Sequence, residues 1–119
     1  MIDHLSLGVT DLAKSKDFYQ KMLQPLGYQV KVEMDHGVCF GSGDGGDLWI
    51  VKNDPTKTHV AFGAATRELV DAFYQAAMDA GGKDNGAPGL RPHYHENYYG
   101  AFVIDPDGYN IEAVCHKEA

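Results

Sequence analysis

Basic residues are scarce in this sequence and nowhere clustered: 10 Lys and Arg stand against 17 Asp and Glu, for a net charge of −7. Nucleic acids and anionic membrane surfaces are gripped by concentrated positive charge, so neither is an expected partner. Long apolar runs are missing too. No stretch approaches the ~18 consecutive apolar residues of a membrane span, and the alternating segment 2–9 is too short and too polar for the core of a secretory signal. The cytoplasm is the expected location. Only two cysteines occur, Cys39 and Cys115, far apart and each within an apolar run, the pattern of reduced core thiols and not of a disulfide or a thiolate metal site. The glycine-rich stretch 41–46 has no Lys-Ser/Thr and no helix after it, which removes the phosphate-binding loop. What is left is an ordinary globular composition, 44% hydrophobic and 23% charged over 119 residues, in a length that suits a single domain burying about two-thirds of its unfolded surface.

What the sequence does contain is itself, twice. His4-Leu5-Ser6-Leu7-Gly8 recurs as His59-Val60-Ala61-Phe62-Gly63, an offset of 55 residues, and the same offset pairs Phe18 with Phe73, Tyr19 with Tyr74, Gln20 with Gln75 and Gly27 with Gly82. Each copy opens on an apolar alternation and runs into a helical pattern, so the chain reads as an internal duplication. In the first copy a strand over 2–9 leads into a helix capped by Thr10 or Asp11 and running to about Leu26, with Leu12, Ser15, Tyr19, Met22 and Leu26, flanked by Phe18 and Leu23, as its apolar stripe. Strands over 28–34, 38–40 and 48–51 follow. The second copy begins with a strand over 59–64 and a helix capped by Thr66 through about Ala80, stopped by Gly81-Gly82. Residues 83–97 read as irregular, with at best a short strand around Leu90, before strands over 98–104 and 109–115 joined by the Asp105-Pro106-Asp107-Gly108 turn.

The fold class expected is α+β: two tandem βαβββ modules, about 1–53 and 57–116, within one domain spanning 1–119. Their mixed sheets are expected to curve into a cup with the helices outside. Alternation then sorts the side chains. Ile111, Ala113 and Cys115 take the helix side of the last strand, which turns Glu112 the other way; His4 and His59 face away from the helices by the same parity. Two histidines at duplicated positions and a carboxylate on one face form a two-His, one-carboxylate set suited to Fe(II), Mn, Zn or Ni. A half-buried histidine is commonly just a hydrogen-bonded core residue, but a buried glutamate is seldom left without a partner.

These features, with the ending Tyr99-Gly100-Ala101-Phe102-Val103-Ile104-Asp105-Pro106-Asp107-Gly108-Tyr109-Asn110-Ile111-Glu112, resemble the vicinal oxygen chelate superfamily. That group includes glyoxalase I, fosfomycin-resistance transferases, bleomycin-resistance proteins and extradiol dioxygenases. The resemblance covers essentially the whole chain. It implies metal ligands at His4, Trp49, His59 and Glu112, the positions on the first and last strands of each module. Trp49 departs from the pattern, because glyoxalase I typically carries there a glutamate that binds the ion and moves the substrate proton. The remaining His4, His59, Glu112 set is similar to that of fosfomycin-resistance transferases and extradiol dioxygenases, the latter usually about twice as long.

The segment 91–99 packs Arg91, His93, His95, Tyr94, Tyr98 and Tyr99 into nine positions of the stretch that breaks the repeat. His95 or Tyr99 is a candidate general acid/base, and Arg91, His93 and Tyr98 are candidates for holding substrate, with Ser6 and Trp49 on the first module's free face. Two functions stay open: a metal-dependent enzyme of lyase, isomerase or transferase type acting on a small oxygenated substrate, and a metal-free small-molecule binding protein of the bleomycin-resistance kind. A homodimer, with the cup inside one chain or between two, is implied by the resemblance.

Overall fold

The computed structural model describes residues 2–119, so Met1, at the head of the first repeat, lies outside the described residues. Each half of the chain folds as the repeat demands. In the first, β1 (Leu5–Val9) is followed by α1 (Leu12–Leu23), then β2 (Gln29–Met34), β3 (Gly37–Gly41) and β4 (Leu48–Lys52). The second runs β5 (His59–Gly63), α2 (Arg67–Asp79), β6 (Lys83–Leu90), β7 (Tyr99–Ile104) and β8 (Asn110–Cys115). The strand orders are identical in kind, β1-β4-β3-β2 and β5-β8-β7-β6, with one parallel pair in each sheet, β1 with β4 and β5 with β8. The molecule is therefore an α+β protein of two helices and two four-stranded mixed sheets.

The helix boundaries follow from their caps. Asp11 accepts from the Lys14 N–H at 3.1 Å and Thr66 from the Leu69 N–H at 3.2 Å, each satisfying an orphan donor of the first turn. The first helix stops three residues short of the expected Leu26, because Pro25 tightens the chain into a 3-10 turn over Gln24–Leu26 and Gly27, at φ +83°, ends it. The larger difference is β6. Residues 83–90 form an eight-residue strand where an irregular segment was expected. Its register on β7 shifts between Asp84 and Gly86 and again between Gly86 and Gly89, so no alternation survives for the sequence to display. Pro88 is tolerated because β6 is an edge strand.

One core serves both halves. Phe18, Tyr19, Met22 and Leu23 of α1 and Val70, Phe73 and Ala77 of α2 are buried with Ile50, Val103 and Ile111 from the two sheets. Tyr28 meets Phe62 edge-on across the seam, ring centres 5.5 Å apart. Polar bonds fasten the same seam. The Tyr19 hydroxyl donates to Asp105 at 2.6 Å, deep in the core. Asp107 accepts from the Thr10 N–H at 3.1 Å. The Tyr109 hydroxyl donates to the Gly8 carbonyl at 2.8 Å and accepts from the Thr56 N–H at 3.0 Å. The turn after β7 thus ties the linker and the first module to the second.

Candidate functional site on the second sheet

The free face of the second sheet gathers most of the chemistry. β8 lies between β5 and β7, with Glu112 paired to Ala61 on one side and to Phe102 on the other. Glu112 has the parity opposite to Ile111 and Ala113, which points it away from the helices. Even so, its side chain is only 3% exposed. A carboxylate so shielded needs donors, and it has two: Oε1 lies 3.0 Å from His59 Nε2, and Oε2 accepts a short bond from the Tyr98 hydroxyl. Burial first, then the bond to Glu112 and its charge, push the Tyr98 phenol well above the usual tyrosine range; the nearby Arg91 guanidinium pulls it partly back.

The protonation of His59 follows from its other nitrogen. Nδ1 lies 2.8 Å from the Asn110 carbonyl, which can only accept, so Nδ1 carries a hydrogen. In a neutral ring Nε2 then has a lone pair, and it faces a carboxylate oxygen. One proton must lie between the two, or a cation in its place. A histidine oriented by a backbone carbonyl, with Nε2 turned to a carboxylate, is the arrangement of metal ligands. His59 and Glu112 therefore fit a divalent ion as two of its donors.

His4 does not join them. β1 begins at Leu5, so His4 sits just before the strand; its side chain is 50% exposed and its Nδ1 is taken by Asp3 Oδ1 at 2.7 Å. Among the described residues no three His, Cys, Asp or Glu side chains come together as a metal-binding group. A single chain brings together two of the three expected ligands.

The other candidates divide. Ser6 is exposed on β1 and paired with Trp49 on β4, whose neighbours Leu48 and Ile50 are buried, so both stand on the first sheet's free face. Tyr99 belongs elsewhere: sharing the parity of Ala101 and Val103, it reaches the helix side, donates to Asp71 at 2.6 Å and lies under the Arg67 guanidinium. It has no place beside Glu112 as an acid or base. His95 is one ring removed from the carboxylate. Its Nε2 is 2.8 Å from His116 Nδ1, its Nδ1 accepts from the Asn97 N–H, and both imidazoles lie against the Tyr98 ring. His93 packs on Tyr94 and Tyr94 on Tyr98, farther out along the loop. Arg91 is held over the Phe102 ring, 5.4 Å from its centre, and Phe102 stacks on His59 at 6.2 Å. Phe102 escaped the sequence reading although its parity in β7, between buried Ala101 and Val103, was a usable signal. His116, just past β8, is the partner of His95, 21 positions away.

The buried thiols complete the picture. Cys39 and Cys115 are both free and buried, and burial pushes the Cys39 thiol up. No helix among the described residues is long and apolar enough to cross a membrane.

Comparison with known proteins agrees with this architecture. The family model described as Glyoxalase/Bleomycin resistance protein/Dioxygenase superfamily matches residues 1–113. The structure of a glyoxalase/bleomycin resistance protein from Albidiferax ferrireducens T118 superposes with a TM-score of 0.85 at 30% identity, covering 98% of this chain and 99% of that one. A glyoxalase-related enzyme from Fulvimarina pelagi superposes at 0.76 with 19% identity, over 97% of this chain and 87% of that one. A glyoxalase/bleomycin resistance protein/dioxygenase family enzyme from Burkholderia phytofirmans PsJN gives 0.76 at 18%, over 97% and 98%. At those last two identities the likeness is one of fold. No protein with a curated description matches the chain.

Proposed function

The chain belongs to the glyoxalase/bleomycin resistance protein/dioxygenase superfamily, and on that premise we propose that it is a dimeric, glyoxalase-like metalloenzyme acting on a small oxygenated substrate. Its divalent ion would be held by His59 and Glu112 of one chain and by His4 of a second copy. The observation that carries this is the His59–Glu112 pair: an imidazole fixed by the Asn110 carbonyl, its Nε2 lone pair 3.0 Å from a carboxylate oxygen. A site of this kind takes three protein ligands and keeps open positions for substrate. The exposed His4, at the mouth of the other module, is the ligand left over within one chain and available to a neighbour.

When bound, such an ion supplies Lewis-acid polarisation of a substrate oxygen. The chain's own residues supply the rest. Tyr98 holds Oε2 and so fixes which Glu112 oxygen is free. His59 is oriented by Asn110. With Trp49 at the ligand position where glyoxalase I has its glutamate, the base for a proton transfer has to come from elsewhere, and strict glyoxalase I activity is not the proposal.

A split site has a distinctive test. Wild-type protein purified without chelators should take up Fe, Mn, Zn or Ni, and His4→Ala and His59→Ala should each abolish uptake while still unfolding cooperatively. Mixing the two variants and letting subunits reassort leaves half the dimers mixed, each with one intact site, so about a quarter of the wild-type metal should return. A site inside one chain would return none. The second reading, a metal-free binding protein of the bleomycin-resistance kind, is favoured by Glu112 having donors on both oxygens already. Wild-type protein that takes up no metal on titration would decide for it.

A further inference from the structure

The double bulge of β6 has a side chain built into it. Arg91 folds back along the strand, Nη1 donating to the Gly89 carbonyl at 3.0 Å and Nη2 to the Ala87 carbonyl at 2.8 Å. The guanidinium fits there because two glycines leave room. A Cβ on Gly86 would meet Nη2 at 3.1 Å and the Phe102 ring at 3.0 Å, and one on Gly89 would meet Nη1 at 3.3 Å. Gly86 also sits at φ +148°, a backbone conformation only glycine adopts without strain. Phe102 completes the cradle by lying beneath the guanidinium, and Phe102 in turn stacks on His59. Bulges that re-aim a side chain beside a site are a recurring device of sheet edges. A guanidinium has five N–H donors, and these bonds occupy two; Nε makes no bond to the protein and is not among the buried atoms left without a partner, so its N–H is open to a ligand on this half-buried side chain.

We propose that Arg91, held rigid by β6 and Phe102, is the anchor for an anionic group, and that the ligand of this site is a small organic anion, a carboxylate or a phosphonate, reaching from Arg91 across the Phe102 edge toward Glu112. A pre-ordered, weakly hydrated fork is the donor that suits a carboxylate or phosphonate, and here little side-chain freedom is left to lose on binding. The carboxylate of Glu112 is not presented bare to such a ligand, since Oε1 is faced by His59 Nε2 and Oε2 by the Tyr98 hydroxyl. The proposal deepens the reading of the second sheet's free face as the ligand site, but does not need the metal.

The test is therefore run on chelator-treated, metal-free full-length protein, labelled with 15N and titrated with phenylphosphonate and, as the uncharged control, benzyl alcohol. The Arg91 Nε–H resonance, assigned by its loss in Arg91→Lys, should move with phenylphosphonate and not with benzyl alcohol. Arg91→Gln should weaken phenylphosphonate binding about ten- to a hundredfold. Gly89→Ala, which nudges the fork without touching its charge, should weaken it by a smaller factor, with the thermal midpoint of each variant checked for an intact fold. An unmoved Arg91 resonance, or an Arg91→Gln affinity within about twofold of wild type, or equal binding of benzyl alcohol, overturns the proposal. A failure of metal uptake leaves this titration untouched, so the two readings fail separately.

Discussion

Tyr19→Phe removes one oxygen atom from the seam between the modules and leaves everything else in place. Its hydroxyl is buried and donates to Asp105 Oδ2 at 2.6 Å; Oδ1 of the same carboxylate is satisfied by the Asp107 and Tyr109 N–H groups, so Oδ2 loses its donor. Asp105 is 5% exposed, which leaves little room for water to replace it. A hydrogen bond to a charged, buried acceptor is worth about 1.5–3 kcal/mol, and we take ~2 kcal/mol as the loss at neutral pH. For a domain of this size that lowers the thermal midpoint by about 8 °C. The pH dependence follows from the carboxyl. Burial raises the Asp105 pKa above its usual 3.8, against the lowering effect of the Tyr19 and backbone donors. A group with a raised folded pKa contributes stability that is fully present below its unfolded value and is lost as the pH rises through the folded value. Without the Tyr19 donor the folded pKa rises further, so the variant loses more than the wild type on going from pH 4 to pH 7. Chemical denaturation at the two pH values should show a gap of ~2 kcal/mol at pH 7 shrinking to ~1 kcal/mol at pH 4, where a neutral bond is all that is missing. A gap below about 0.5 kcal/mol, or one that does not change with pH, would refute the assignment of Asp105 as a charged acceptor.

Other outcomes follow from single residues. Gly8→Ala should destabilise by more than about 2 kcal/mol, because its Cβ would lie 2.5 Å from the Asp54 carbonyl oxygen, while Gly63→Ala, its repeat counterpart with open space around it, should stay within about 0.5 kcal/mol; paired denaturant melts compare them. The raised Tyr98 phenol contributes stability below pH 10 that is lost as the pH climbs through its folded value, so Tyr98→Phe should flatten part of the wild-type decline above pH 10, read by thermal melts in alkaline buffer. Cys39 and Cys115, both buried, should react with a thiol reagent only at the rate of opening in native protein and at once in denaturant; fast native reaction of both would contradict their burial.

The strands and helices with clean periodicity were legible because caps and alternation are local. Asp11 and Thr66 announce their helices, and the parity of Ile111, Ala113 and Cys115 was enough to turn Glu112 to the free face. The α+β class and the repeated βαβββ order followed from these. β6 was not legible, because its two register shifts erase the period-two pattern and its glycines serve the Arg91 cradle instead of a turn. Parity also has a one-residue sensitivity. Tyr98 and Tyr99 are neighbours of equal chemistry, and only the start of β7 at Tyr99 sends one to Glu112 and the other to Asp71. Parity does not carry over to His4 for a similar reason: the repeat matches it to His59, but β5 includes its histidine and β1 begins after its own. The contact of His95 with His116 joins the 91–98 loop to the residue just past β8, a long-range pairing that no local pattern encodes.

The phenol of Tyr109 has a kinetic meaning beyond its place in the seam. It grips the first module at Gly8 and the connecting segment at Thr56 with a single oxygen, so that segment is clasped and not a free hinge. In the proposed dimer, two copies would trade places as whole chains without disturbing that clasp. Trading individual modules, in contrast, must first break it together with the shared core, and so proceeds only through a largely opened chain. If the proposed dimer forms, subunit reassortment and module exchange would therefore run on separate clocks, the second far slower. Tyr109→Phe, which unfastens the clasp while leaving its ring in the core, is the variant that would bring the two clocks together.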